Sequence, residues 1–118
     1  MTEVDYRRIF EALPSPFMIL DPDFCYVDMN SAYIASVGRG REALVGRHLF
    51  DIFPNDDTSG IRLKESFERV LATGEPDTLA YLPYPIARED GVLEHRYWTA
   101  VHVPILDDDG QVRLIMQN

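Results

Sequence analysis

The chain has 118 residues, enough for one domain with its own hydrophobic core. Hydrophobic residues make up 46% of it and charged residues 26%, which is the balance of a globular protein and not of a disordered one. With 20 acidic against 11 basic residues the net charge is −9, and an acidic surface repels phosphate groups, which argues against nucleic acid and anionic membrane surfaces as partners.

Cysteine content and hydropathy bear on the compartment. Cys25 is the single cysteine, so neither an internal disulfide nor a cysteine-based zinc cluster can form, which suits a reducing cytoplasm. The first residues lack the pattern of a signal peptide, and no apolar run approaches the ~20 residues of a membrane span. We predict a cytoplasmic domain without direct membrane contact, although its parent protein could be anchored through other segments.

Residues 3–13 have the apolar spacing of an amphipathic helix, which Pro14 ends. Its apolar side chains leave two alternatives open. Val4, Ile9 and Phe10 could pair with a second copy of the chain, or the helix could cover only the sheet of its own domain. We favour the pairing, and therefore predict a homodimer.

Two short apolar runs, 17–20 and 24–29, are separated by the turn-forming segment 21–23 and predict a β-hairpin. Asn30 follows as the N-cap of a helix that ends at Gly38.

The middle of the chain is helical. Segments 41–46 and 48–53 predict two short helical turns. The apolar spacing of 60–73 predicts a longer helix that packs on a core, with Thr58 or Ser59 as its cap.

The remainder predicts β-structure. Residues 77–87 contain two prolines and predict an edge or irregular strand, while 92–106 form the longest strand candidate. A turn at 107–110 leads to a last strand at 112–116. The consecutive aspartates of this turn do not have the ligand spacing of a calcium-binding loop. Strands on both sides of a helical cluster predict an α+β domain with an antiparallel sheet.

Five groups of short motifs follow one another along the whole chain, at 10–16, at 18–21, at 26–32, at 44–47 with 51–54, and from Gly91 through 96–98 and 103–105 to Gly110. No single motif is specific, but the ordered set resembles the PAS family. The resemblance implies a five-stranded antiparallel sheet with a helical cluster on one face. It also implies a flanking helix at 1–14 and a core at 15–118.

The resemblance implies a sensor or dimerisation input for a histidine kinase, a diguanylate cyclase or a similar output domain. In this fold a cavity usually lies between the inner sheet face and the helices, although the same side chains could fill that space as a plain core. Arg96 is a polar candidate there, since a buried arginine needs an anionic partner. The candidate lining residues are Met18, Leu20, Phe50, Ile52, Phe53, Leu63, Phe67, Arg96, Tyr97 and Thr99.

Such domains typically close with an Asp-x-Thr element that leads to a signalling helix. Here the sequence stops at Gln117 and Asn118. We therefore expect a longer parent protein with a C-terminal output domain.

Haem and flavin are both disfavoured. Haem-binding relatives usually carry their histidine in the long helix, and 60–73 has none. His95 and His102 are an odd number of positions apart on one predicted strand, so they point to opposite faces and cannot share a metal. Cys25 lacks the helical motif of flavin-binding relatives. An unidentified small molecule stays open as a ligand.

The sequence contains none of the familiar motifs for nucleophilic, nucleotide-dependent or zinc-dependent catalysis. We predict a non-catalytic sensory domain, the input module of a bacterial sensor histidine kinase. The alternative is a ligand-independent dimerisation scaffold, and a small hydrolase or isomerase ranks behind both.

Overall fold

The computed structural model describes residues 4–55 and 57–118. Within these residues five helices and seven strands follow one another in the order α1 (Tyr6–Ala12), β1 (Met18–Leu20), β2 (Tyr26–Met29), α2 (Ser31–Val37), α3 (Arg41–Leu44), α4 (Leu49–Ile52), α5 (Thr58–Thr73), β3 (Asp77–Pro83), β4 (Ile86–Ala87), β5 (Leu93–Glu94), β6 (Tyr97–Leu106) and β7 (Val112–Gln117).

Five strands form one sheet in the order β2-β1-β7-β6-β3, and every neighbouring pair is antiparallel. The first and last strands of the chain meet at its centre, where Met18 pairs with both Met29 and Gln117. Strands β4 and β5 form a separate two-stranded ribbon. The predicted α+β fold with a five-stranded antiparallel sheet is confirmed.

Helix α5 packs across β3, β6 and β7. Its N-cap is Asp57, whose carboxylate accepts from the backbone N–H groups of Ser59 and Gly60. The sequence prediction of Thr58 or Ser59 as the cap was therefore wrong, because Asp57 has the extended backbone of a cap residue and Thr58 is already helical. Gly60 is required at this turn, since a Cβ there would lie 1.8 Å from the carbonyl oxygen of Asn55.

Helix α1 is shorter than the predicted 3–13. Its N-cap is Asp5, whose side chain accepts from the backbone N–H of Arg8, so Val4 precedes the helix. The start of the predicted range lies outside the described residues. None of the residues of α1 is buried.

The two long β predictions are each interrupted. The segment 77–87 divides into β3 and β4, with Pro85 between them, and 92–106 divides into β5 and β6. The pairing of β3 with β6 contains a β-bulge. Leu79 pairs with Ala100 and Leu82 pairs with Trp98, so β3 advances by three residues where β6 advances by two. This bulge places Tyr81 at a positive φ of 55° with its side chain exposed.

Candidate ligand-binding cavity

A small cavity lies between the inner face of the sheet and the helices. The centres of water-sized molecules can occupy about 40 Å³ of it, which is room for about three waters at the ~10–15 Å³ that one needs. Its lining carries no formally charged side chain among the described residues and consists of Tyr26, Tyr33, Val37, Leu49, Phe53, Leu63, Leu82, Tyr84, Ile86, Trp98, Ala100 and Gln117.

Three tyrosines are among the polar residues of the cavity wall. The phenol oxygens of Tyr26 and Tyr33 are 2.6 Å apart and share a hydrogen bond. Tyr84 donates its hydroxyl proton to the carbonyl oxygen of Phe53 at 2.6 Å. Burial raises the pKa of all three phenols, so each stays neutral at physiological pH.

One buried side chain orients the two paired tyrosines. Asn30 lies between β2, which carries Tyr26, and α2, which carries Tyr33. Its amide oxygen accepts from the backbone N–H of Tyr33 at 3.1 Å and of Phe17 at 2.9 Å, and its NH₂ group donates to the Ser15 carbonyl at 2.9 Å. The turn between strand and helix is therefore fixed, and both tyrosines line the cavity.

The ribbon of β4 and β5 closes one side of the cavity, and two arginines hold it against the end of α2. Arg39 donates from Nε and Nη2 to the carbonyl oxygen of Ala87 at 3.2 and 2.9 Å. Arg96 donates to the hydroxyl of Ser36 at 3.0 Å and to its carbonyl, and pairs with Glu94. Arg96 was predicted to line the cavity, but it lies outside the lining, half-buried, and its anionic partner is the Glu94 carboxylate of this same chain.

A buried polar network begins at Gln117, where β7 ends. The amide oxygen of Gln117 lies 2.9 Å from Nε2 of His102, and Nδ1 of His102 lies 2.7 Å from the hydroxyl oxygen of Ser66. Ser66 donates to Asp77, whose pKa is lowered first by the hydrogen bonds from Arg69 and then by that from Ser66. Desolvation lowers the pKa of His102, which is fully buried. The network connects the cavity wall to α5 and to the first residue of β3.

The structure distributes the predicted lining residues among several environments. Phe53 and Leu63 line the cavity. The surrounding core buries Met18, Leu20 and Phe67 completely. It also includes Phe50 and Ile52, which are partly buried.

Tyr97 and Thr99 lie outside the cavity, so their placement needs correction. Both side chains are exposed, Tyr97 to 78%, because the even-numbered positions of β6 face inward and Trp98 and Ala100 line the cavity instead. Residues on a strand alternate between faces, so an error of one position inverts the assignment.

Sequence reasoning missed the tyrosines and Gln117 as lining residues. Tyr26 and Tyr33 flank the predicted N-cap Asn30 in the sequence. Their positions on a predicted strand and on the first turn of the following helix were a signal that the two side chains could meet. Tyr84 lies between the two prolines that marked an irregular strand. Gln117 gave no signal, since its role depends on pairing β7 with β6.

The residues predicted for a dimer contact lie on or beside α1. Val4 is 55% exposed and Ile9 is 50% exposed, while Phe10 is partly buried and contacts the Phe17 ring. Helix α1 is attached to the body through ion pairs from Arg7 to Asp28 and from Arg41 to Glu11.

Membrane-spanning helices and clusters of metal-binding side chains are both absent from the described residues. Within residues 4–55 and 57–118, no helix is long and apolar enough to cross a membrane. In the same ranges, no group of three or more His, Cys, Asp or Glu side chains could hold a metal ion.

Comparison with protein families gives a match over nearly the whole chain. Residues 10–117 match a family model described as PAS fold. A curated relative, the uncharacterized protein y4lL of Sinorhizobium fredii, is 33% identical over 73 residues, which are 62% of this chain and 9% of that protein. The chain therefore spans only a small part of the relative that it matches.

Solved structures share the fold at low sequence identity. The PAS domain of BvgS from Bordetella pertussis is 17% identical with a TM-score of 0.72, covering 96% of this chain and 80% of that one. A sensory box sensor histidine kinase from Vibrio cholerae is 18% identical with a TM-score of 0.66, covering 95% and 84%. An RNA-binding light-oxygen-voltage receptor is 17% identical with a TM-score of 0.73, and the match covers 95% of this chain but 30% of the receptor.

Proposed function

This chain belongs to the PAS fold family, and from that premise we propose that it is a cytoplasmic sensory module whose cavity binds a small molecule. A domain of this family is a signalling domain and typically non-catalytic. The ligand would shift the position of β7, where the chain leaves the sheet, and so signal to a C-terminal output domain. A ligand can act in this way only if it binds two states of the domain with different affinity.

The observation that carries this proposal is the cavity itself. A plain core would be filled at crystal-like density, whereas here a space remains beside three buried phenols and the Gln117 amide. Gln117 lies both in the cavity wall and at the end of the last strand, so a ligand that contacts it touches the C-terminal end of β7.

A histidine kinase is the proposed parent protein. One of the similar structures described above, the Vibrio cholerae protein, carries that description. At 18% identity it shares the fold alone, so the kinase output is part of the proposal.

Native mass spectrometry of the domain purified without added ligand tests the binding role. We expect additional mass that disappears on denaturation. Ala100→Leu fills the cavity from β6 and should abolish that mass, whereas Ala80→Leu, on the exposed side of the edge strand β3, should retain it. A wild-type domain that carries no additional mass, and whose melting temperature responds to no member of a fragment collection, would contradict the proposal.

A second candidate function is a dimerisation scaffold that needs no ligand. The specific observation in its favour is α1, which has no buried residue and keeps Tyr6 at 77% and Ile9 at 50% exposure. An isolated exposed apolar side chain is ordinary, but a whole helix without a buried residue suggests that a second copy covers it. A stable dimer without bound ligand would favour this role over the sensor.

A further inference from the structure

The hydrogen-bond donors and acceptors of the cavity wall indicate which class of ligand the cavity can bind. Tyr26 and Tyr33 are 2% and 4% exposed, and each phenol has one proton and can accept as well as donate. The bond between their oxygens consumes one of the two protons. Among the described residues, no further acceptor lies within hydrogen-bond distance of either phenol.

The third phenol does not take up the remaining proton. Tyr84 donates its own proton to the carbonyl of Phe53, and its oxygen is not within hydrogen-bond distance of Tyr26 or Tyr33. A buried donor without an acceptor is costly, and the cost is recovered when an acceptor arrives. The Tyr26–Tyr33 pair is therefore a donor that faces a small apolar space.

The charges in and around the cavity wall narrow the class of possible ligands further. The lining residues bear no formal charge, and the raised pKa values of the phenols reflect an environment that disfavours anions. The nearby guanidinium of Arg96 is paired with Glu94, and that of Arg39 donates to the Ala87 carbonyl, and neither group is part of the lining. An anionic ligand would thus lose its hydration and meet no cationic side chain among the described lining residues.

From these observations we infer that the cavity binds a small neutral molecule with a hydrogen-bond acceptor, such as a ketone, aldehyde or ether oxygen, which receives the unused proton of the Tyr26–Tyr33 pair. The inference rests on the proposed function, because it requires that the cavity binds a ligand at all. The size of the cavity limits the ligand to a compact molecule of few non-hydrogen atoms.

Three probes with the same branched skeleton of four non-hydrogen atoms test the inference: acetone, its hydrocarbon analogue 2-methylpropene, and the anion acetate. Affinities for the wild-type domain and for Tyr26→Phe/Tyr33→Phe are measured by NMR titration of backbone amides. Because the hydrocarbon is intrinsically more hydrophobic, the decisive quantity is the ratio of ketone to hydrocarbon affinity in each protein. We expect that ratio to fall about three- to tenfold in the double variant, and acetate not to bind at concentrations that saturate the ketone.

Tyr84→Phe is the matched control, since it removes a phenol from the same cavity whose proton is already used, and it should leave the ratio unchanged. If the double variant does not fold, the carbonyl stretching frequency of the ketone bound to the wild type decides, and a shift below its value in hexane supports the inference. An unchanged affinity ratio, an unshifted frequency or tight acetate binding would overturn the ligand class while leaving a binding cavity. Failure of both the ketone and the hydrocarbon to bind the wild type would overturn the sensory proposal as well.

Discussion

The amide oxygen of Gln117 lies 2.9 Å from Nε2 of His102, joining the end of the last strand to a histidine buried under α5. Ser66 donates its proton to Asp77, so its oxygen accepts from Nδ1–H of His102. A protonated imidazole would then donate from Nε2 to the Gln117 oxygen, whereas a neutral one would need the amide NH₂ group instead. The orientation of the Gln117 amide is therefore coupled to the protonation of His102.

Replacing Gln117 with leucine should lower the pKa of His102 further. The hydrogen bond to Gln117 raises this pKa and partly opposes desolvation, which lowers it more. NMR titration of the imidazole resonances measures the change, with the exposed His95 as internal reference. An unchanged or higher pKa for His102 in Gln117→Leu would show that the amide does not act on the ring.

The free energy of unfolding should decrease as the pH falls from about 7.5 to about 5.5. The folded pKa of His102 is below that of an unfolded histidine, ~6.5, so the unfolded chain binds more protons in this range and gains stability relative to the native state. The stabilisation is complete above the unfolded pKa and is lost as the pH falls toward the folded one. Asp77, on β3, and Arg69, on α5, are the charged groups that act on the ring.

Urea denaturation at several pH values measures this dependence. The variant His102→Gln keeps an amide in the network without a titrating ring, and should show a smaller loss of stability over the same pH range. Equal pH dependence in both proteins would mean that another group is responsible.

Phe67→Ala should reduce the free energy of unfolding by about 3–5 kcal/mol. The Phe67 ring is fully buried and its centroid lies 4.4 Å from the His102 ring and 5.5 Å from that of Phe24. Tyr97→Ala, at a 78% exposed aromatic residue, should change it by less than about 0.5 kcal/mol. Urea denaturation measures the free energy of unfolding of both variants. A loss for Tyr97→Ala as large as that for Phe67→Ala would contradict the assignment of Tyr97 to the exposed face of β6.

Asn30→Ala should cost about 2–4 kcal/mol, because it removes the fully buried cap of α2 and leaves the half-buried backbone N–H of Phe17 and the carbonyl of Ser15 without their partners. Asp5→Ala removes the exposed cap of α1 and should cost less than about 1 kcal/mol. Thermal unfolding followed by circular dichroism compares the two. Equally small losses of stability in the two variants would show that Asn30 does not organise the turn between β2 and α2.

Ile9→Glu should shift a dimer toward monomer if α1 forms the contact between two copies. Ile61→Glu introduces the same charge at a side chain of almost equal exposure, 52% against 50%, on α5. Sedimentation velocity over a range of protein concentrations measures the equilibrium. Dissociation by Ile61→Glu but not by Ile9→Glu would move the interface away from α1.

Local sequence signals determined the elements and their order. Asn30, Gly38 and the apolar spacing of α5 act through neighbours within a few positions, so caps, turns and most helix bounds could be read directly. The ordered motifs also sufficed for the fold and the family, because they extend over the whole chain. Asp57 as the cap of α5 was missed although the signal was local.

Only the tertiary structure decided which side chains meet in the cavity. The break at 95–96 and the bulge between Leu79 and Leu82 set the register of β6, and one position of register inverts every side chain between solvent and core. Tyr97 was therefore assigned to the wrong face, and Trp98 was overlooked. The Tyr26–Tyr33 pair and the contact of Gln117 with His102 likewise depend on strand pairing and helix packing between distant segments, which no local pattern encodes.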